Sequence, residues 1–321
     1  MRLSNGALVV CKSLAFDDLQ GHHRTIPSIQ NEQTSPTLNN AERASDQPDL
    51  IEAMWRETRI LSQMSHPHII RYLHASRHGT EMRIFMEHAN AGTLATAIRN
   101  HRGRPFAHSS IHRWMHQLAS ALRHVHSHGV CLALVVPMSP CGSMHAPAHH
   151  MPIILSLCRL HGHAHALSTQ VLHRDLKAAN VFLTTTDGEL GDVDDSSCNV
   201  KLGDFGVARP LSTFTHFANT MVGTPYYLAP EVLASAPYAF SADCWSLGVI
   251  LFELLTLSRP FESPHLGALV RMVERGEMNM AALDRCPHSA AFRRLAGPQA
   301  LLHPDPTERM RLEELLEELG R

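Results

Sequence analysis

Residues 243–256 read DCWSLGVILFELLT and are apolar nearly all round any helix they form. A helix of that kind has no solvent face, so it must sit in the middle of a lobe made by other helices. Such helices are legible on either side of it. Ile111, Trp114, Met115, Leu118, Leu122 and Val125 recur every three or four residues, the repeat of one long amphipathic helix. Leu312, Leu315, Leu316 and Leu319 stand among glutamates as an amphipathic surface helix. The first third of the chain has a different grain. Residues 7–14, ALVVCKSL, read as a short buried strand carrying one lysine, and strand-like runs follow at 69–73 and 82–87. Between them, Asp49 and Glu52 form a capping-box pattern ahead of Ile51, Met54, Leu61 and Met64, and His66-Pro67 ends that helix. The expected fold is α+β with two unequal lobes, a small β-rich one over 1–87 and a larger helical one over 88–321.

Composition narrows the partners. Lys and Arg number 28 against 30 Asp and Glu, which gives no reason to expect nucleic acid or an anionic membrane as the main partner. The seven cysteines show no CxxC pair and no zinc-like spacing, a usage that fits a reducing compartment. No apolar run reaches the ~18 residues of a membrane span, and the apolar run before Lys12 is too brief for a signal peptide. The expected location is therefore the cytoplasm, with the nucleus and the cytoskeleton as extensions of it.

The chemistry is concentrated in three runs that occur in order. They are His173-Arg174-Asp175-Leu176-Lys177-Ala178-Ala179-Asn180, then Asp204-Phe205-Gly206, then Ala229-Pro230-Glu231. Phosphoryl transfer from ATP needs a carboxylate to orient the attacking hydroxyl, oxygen ligands for Mg²⁺, and cations to neutralise developing charge. Asp175 suits the first role, Asn180 and Asp204 the second, and Lys177 and Lys12 the third. Any one run alone is cheap; all three in order are not.

With these runs the chain resembles the eukaryotic protein kinase family over residues 5–16, 48–129 and 171–321. Lys177, two residues after Asp175, resembles the serine/threonine branch. The segment Val222-Gly223-Thr224-Pro225-Tyr226-Tyr227-Leu228-Ala229-Pro230-Glu231 is similar to the NIMA-related kinases, as are His66-Pro67 with Ile69-Ile70 and Asn180-Val181-Phe182-Leu183. The resemblance implies ATP and Mg²⁺ held between the lobes. It implies adenine near Val10, hinge contacts from the backbone of Glu87 and Ala89, Met86 as gatekeeper, and Phe182 among the nucleotide-binding residues. Leu61, Tyr72, His173 and Phe205 look like a stacked hydrophobic spine. Glu57 falls on the apolar face of its helix, where a carboxylate needs a cation. Lys12 is the candidate, and the resemblance implies that same pair, while an exposed Glu57 at the helix edge stays open. Arg309 resembles the family arginine that pairs with Glu231. A phosphate on Thr220 could pair with Arg174, with Ser212, Thr213 and Thr215 as competing positions and loop hydroxyls of no consequence as the bland alternative.

Three departures stand out. The family's glycine-rich loop should precede Lys12 by more residues than are present, and only Gly6 lies upstream. The small lobe is thus expected to be truncated, or ATP binding weakened. Lys12 and Glu57 stand 45 positions apart, which the polar stretch 18–47 accounts for as a loop insertion, and a smaller acidic insertion runs from Asp187 to Ser197. Finally, the 41 residues of 130–170 are rich in His, Pro, Cys and Met. Joining Gly129 to Val171 restores a continuous run into the catalytic loop. Valine codons begin GT and one glutamine codon is CAG, so the insertion reads as a retained intron. A lineage-specific loop is one rival; a metal site using His145, His149, His150, His161, His163 and His165 is another.

The expected function is transfer of the γ-phosphate of ATP to Ser or Thr of protein substrates. The alternative is a pseudokinase-like binding module in this N-truncated form. A small-molecule kinase is a weaker third reading. Oligomeric state is open.

Overall fold

The computed structural model describes residues 8–15, 58, 61–78, 81–101, 103–132, 176–185, 197–204, 225–234 and 240–320. In chain order the elements are β1 (Val9–Ala15), β2 (Tyr72–His78), β3 (Glu81–Glu87), α1 (Leu94–Asn100), α2 (His108–Leu132), β4 (Val181–Thr184), β5 (Asn199–Leu202) and α3 (Pro230–Leu233). There follow α4 (Phe240–Thr256), α5 (Leu266–Arg275), α6 (Met280–Arg285), α7 (Ala290–Leu295) and α8 (Leu312–Leu319). Single 3₁₀ turns occupy Ala178–Asn180 and Pro225–Tyr227. No helix among the described residues is long and apolar enough to cross a membrane.

The strands form an antiparallel sheet in the order β1-β3-β2, and β4 pairs with β5 as a second, two-stranded ribbon. Two expectations are corrected here. The strand read at 69–73 begins at Tyr72 and runs to His78. Residues just before it spend their backbone on β5 instead: Ile70 N–H donates to Leu202 O at 2.8 Å, and Leu202 N–H to His68 O at 2.8 Å. The strand read as buried, β1, lies at a sheet edge among the described residues, and Val10 is 40% exposed. One face of such a strand packs while the other looks outward, so Val9 is buried and Val10 is not.

The helical lobe is organised as its apolar pattern demands. Every residue of α4 from Ala242 to Leu255 is buried. The six apolar residues that defined α2 are fully buried against it and against β5. Gly248 lets the α4 backbone come close: a Cβ there would meet Leu301 Cβ at 2.8 Å. At the far end of α2, His126 Nε2 lies 2.9 Å from the fully buried Asp243 carboxylate. The helix runs three residues into the 130–170 segment, past Gly129. A mid-helix glycine costs only about 1 kcal/mol, too little to stop a long packed helix. The remainder of that segment, the 18–47 stretch, and Asp49, Ile51, Glu52 and Met54 lie outside the described residues.

α2 also sets the position of β5. Trp114 Nε1 donates to Cys198 O at 2.9 Å, and Gln117 Oε1 accepts from Val200 N–H at 2.9 Å. A buried polar group without a partner is costly, so these bonds fix the strand's register on the helix. β5 leads directly into Gly203 and Asp204.

Candidate active site

A cleft opens between the three-stranded sheet and the end of β5, walled by Tyr72, Ile84, Met86 and Ile70, with Leu61 at its back. Lys12 and Asp204 face each other across it and form an ion pair. Lys12 gets there through the β1–β3 ladder, where it lies opposite Ile84 while Val10 lies opposite Met86. Asp204 gets there through a left-handed backbone, φ 53°. Non-glycine residues seldom adopt that region, although Asp and Asn do so more readily than most. At this residue the strained turn aims a carboxylate into the cleft.

Asn180 is joined to the same point. Its N–H donates to Lys177 O at 2.9 Å, which closes the 3₁₀ turn, and its carbonyl accepts from Gly203 N–H at 3.0 Å. The backbone of one candidate Mg²⁺ residue, Asn180, is thus bonded to Gly203, the residue just before the other, Asp204. Lys177 is half-buried at the start of that turn, and Leu176 beside it is buried.

Gly203 was not singled out from sequence, and the geometry shows its part. A Cβ there would meet Ile70 Cγ1 at 2.8 Å and the Phe182 ring at 2.9 Å. Both neighbours are hemmed in, since Ile70 is bonded to Leu202 and Phe182 bridges to Thr93. Gly203→Ala is expected to displace Asp204 and to cost roughly 1–3 kcal/mol of stability, as overpacking does. Thermal unfolding of the variant beside wild type checks this; an unchanged midpoint would mean that the site relaxes freely.

The expected hinge residues Glu87 and Ala89 follow directly on the cleft residue Met86 in the chain. Met86 lines the cleft, Glu87 and Ala89 are half-buried, and Val10 stands exposed above Met86. Glu87 N–H donates to Arg71 O at 2.9 Å. From there the chain docks onto β4: Ala91 N–H donates to Leu183 O at 3.0 Å and Leu183 N–H to Gly92 O at 2.9 Å.

Two buried contacts support the site from the helical lobe. Glu231 and Arg309 form the expected pair, bidentate at 2.6 and 2.9 Å, with the Arg309 side chain fully buried. Tyr227 donates its hydroxyl to Glu253 at 2.5 Å. Burial pushes the Glu253 carboxyl up to about 7, against the pull of Tyr227 and Arg259. Burial, and then the Glu253 charge, raise the Tyr227 phenol as well. This second pair was not foreseen, because no local spacing links residues 227 and 253.

Several expected residues lie outside what the structure describes. Lys12 pairs with Asp204, and Glu57, its expected partner, lies outside the described residues. So do Asp175, Arg174, Thr220, His173, Phe205, Ser212, Thr213, Thr215 and the six histidines of the candidate metal site.

A two-lobed α+β fold with Lys12 and Asp204 across a cleft, Asn180 beside them and a Glu231–Arg309 anchor defines a protein kinase domain. The protein kinase domain family matches residues 34–133 and 152–319, and the chain belongs to that family. β1 lies ahead of the matched span; its place in the sheet comes from the structure. The chain is similar to serine/threonine-protein kinase Nek5 of Homo sapiens, 32% identical over 68% of this chain and 24% of that protein. It is likewise similar to serine/threonine-protein kinase Nek2 of Mus musculus, 34% identical over 68% of this chain and 40% of that protein. The chain thus spans well under half of these relatives' length. Among solved structures it shares its fold with Rad53 in complex with AMP-PNP, with a TM-score of 0.59 at 22% identity over 83% of this chain and 54% of that one.

Proposed function

We propose that the chain transfers the γ-phosphate of ATP to serine or threonine hydroxyls of protein substrates. The observation that carries this reading is the meeting of Lys12 with Asp204 in a cleft, next to Asn180. The named serine/threonine kinases among its relatives, and the ATP analogue named with Rad53, support it.

The donor set fits magnesium, which prefers hard oxygen ligands and is bound through few carboxylates plus phosphate oxygens. Asp204 and Asn180 are the residues that would hold it, and it would shield the charge of the β- and γ-phosphates. Lys12 binds and orients the α- and β-phosphates. Asp175, immediately before buried Leu176, orients the acceptor hydroxyl and takes its proton. Lys177, two residues on, neutralises charge on the transferring group. Met86, Glu87 and Ala89 place the adenine along the rim, with Val10 above it and Phe182 below.

The test is phosphate incorporation from ATP into a generic Ser/Thr protein substrate, with and without Mg²⁺, run beside Asp175→Asn. Mg²⁺-dependent incorporation that falls at least 100-fold in the variant is the expected result, the scale of a lost general base. Equal incorporation by both proteins would remove Asp175 from the mechanism. A wild-type chain that binds protein partners but transfers no phosphate would make it a binding module.

A further inference from the structure

The carboxylate of Glu87 sits behind the rim of the cleft and is held by two different parts of the molecule. Its Oε1 lies 2.8 Å from Lys201 Nζ on β5. Its Oε2 accepts from Arg71 N–H, just ahead of β2, at 3.0 Å. The Glu87 main chain completes the arrangement, since its own N–H donates to Arg71 O at 2.9 Å. Side chain and backbone of one rim residue are therefore bound to the same neighbour, and the side chain is bound to β5 as well.

The surroundings make this ion pair stronger than a surface one. The Lys201 and Glu87 side chains are only 18% and 24% exposed, and partly buried charges are screened less by salt. Nearby His68 does not compete as the cation. Its Nδ1 lies 3.1 Å from Val200 O, and burial above all, with the Lys201 charge adding to it, holds its pKa below the ordinary value. Position gives the pair its meaning. Lys201 is three residues before Asp204 on a strand that α2 holds in register. Glu87 is a residue whose backbone the nucleotide is expected to meet.

We propose that Lys201 is a positioning residue for ATP: through the Glu87 carboxylate it ties the adenine-binding rim to the strand that carries Asp204. The inference rests on the kinase reading of the cleft. Lys201 touches neither phosphate nor acceptor; it acts by keeping the rim in one place before the nucleotide arrives. Pre-organisation of that kind lowers the cost of binding and leaves chemistry alone. Losing it should therefore raise KM for ATP with little change in kcat.

Lys201→Met, Lys201→Arg, Glu87→Gln and the Lys201→Met/Glu87→Gln double variant test this. Lys201→Met is expected to raise KM for ATP about 5- to 10-fold with kcat within about twofold of wild type. Lys201→Arg, which keeps the charge, should restore most of the loss. The double variant should be no worse than the worse single one, as two members of one interaction require. Amide hydrogen exchange of the nucleotide-free proteins supplies a readout independent of catalysis. The Arg71 N–H, whose acceptor is the Glu87 carboxylate, should exchange about tenfold faster in Lys201→Met. Unchanged KM together with unchanged Arg71 exchange would overturn the proposal. So would parallel losses in kcat and thermal midpoint without rescue by arginine, which would mark Lys201 as merely structural. A wild-type chain that transfers no phosphate would defeat the kinase reading, while the exchange comparison would still decide whether the link exists.

Discussion

Asp204→Asn is expected to reduce phosphate transfer by about 10³-fold while leaving the chain folded. Asn has the shape of Asp and tolerates the left-handed backbone that residue 204 adopts, φ 53°. The turn after Gly203 should therefore survive the substitution, and what changes is charge. Lys12 loses the partner it meets across the cleft, and the candidate magnesium site loses its one carboxylate among the described residues. Preorganised electrostatic groups of this kind are each worth about 10²–10³ in rate, and here one substitution affects the metal and the lysine together. Initial rates at saturating ATP, with a thermal midpoint measured alongside, check the result. A variant that keeps a tenth or more of the wild-type rate at an unchanged midpoint would remove Asp204 from the metal site.

Arg309→Ala should be the most destabilising of the substitutions argued for, at roughly 3–5 kcal/mol, the range for breaking a buried ion pair from one side. Arg309 is 3% exposed and does more than meet Glu231. It also donates to the carbonyls of Ser241, His303 and Pro304, and its guanidinium lies over the Trp245 ring at 5.1 Å. Removal leaves those carbonyls and a buried carboxylate with fewer donors. Arg309→Lys should recover only a small part, because an ammonium cannot reproduce the two-pronged contact. A fall of about 10 °C in thermal midpoint corresponds to this cost for a chain of this size. Denaturant titration measures it directly, and a loss below 1 kcal/mol would show that the neighbouring carbonyls and Glu231 find other donors.

Much of the fold could be read in advance because its helices are defined by local periodicity. The six apolar residues of α2, and the near-continuous apolar run of α4, state their burial within a single window of sequence. The sheet was less legible. Ile69 and Ile70 are as apolar and β-branched as a strand residue should be, yet the backbone here, through His68 O and Ile70 N–H, serves β5, a partner that lies far along the chain. Within the site, Lys12, Asn180 and Asp204 were foreseen as residues and do lie together, and Glu231 finds Arg309. The Lys201–Glu87 and Tyr227–Glu253 contacts were not foreseen. Each joins segments whose meeting depends on the complete fold, and a lone Lys on a strand or a lone Glu in a helix carries no mark of its partner. Gly203 was in view only as a neighbour of Asp204, because the rings and methyls that crowd it come from Ile70 and Phe182.

The edge position of β1 has a consequence for the order in which this molecule comes apart. Among the described residues β1 is laddered to β3 alone, so detaching it breaks one set of strand bonds and leaves the helical core untouched. Such a strand is among the first segments to open in native-state fluctuations. Lys12 rides on it, so the proposed engagement of ATP by Lys12 and the attachment of the strand form a single linked equilibrium. Any ligand that engages Lys12 should slow amide exchange along 9–15 in proportion to its concentration over its Kd, long before it alters the exchange of α2 or α4.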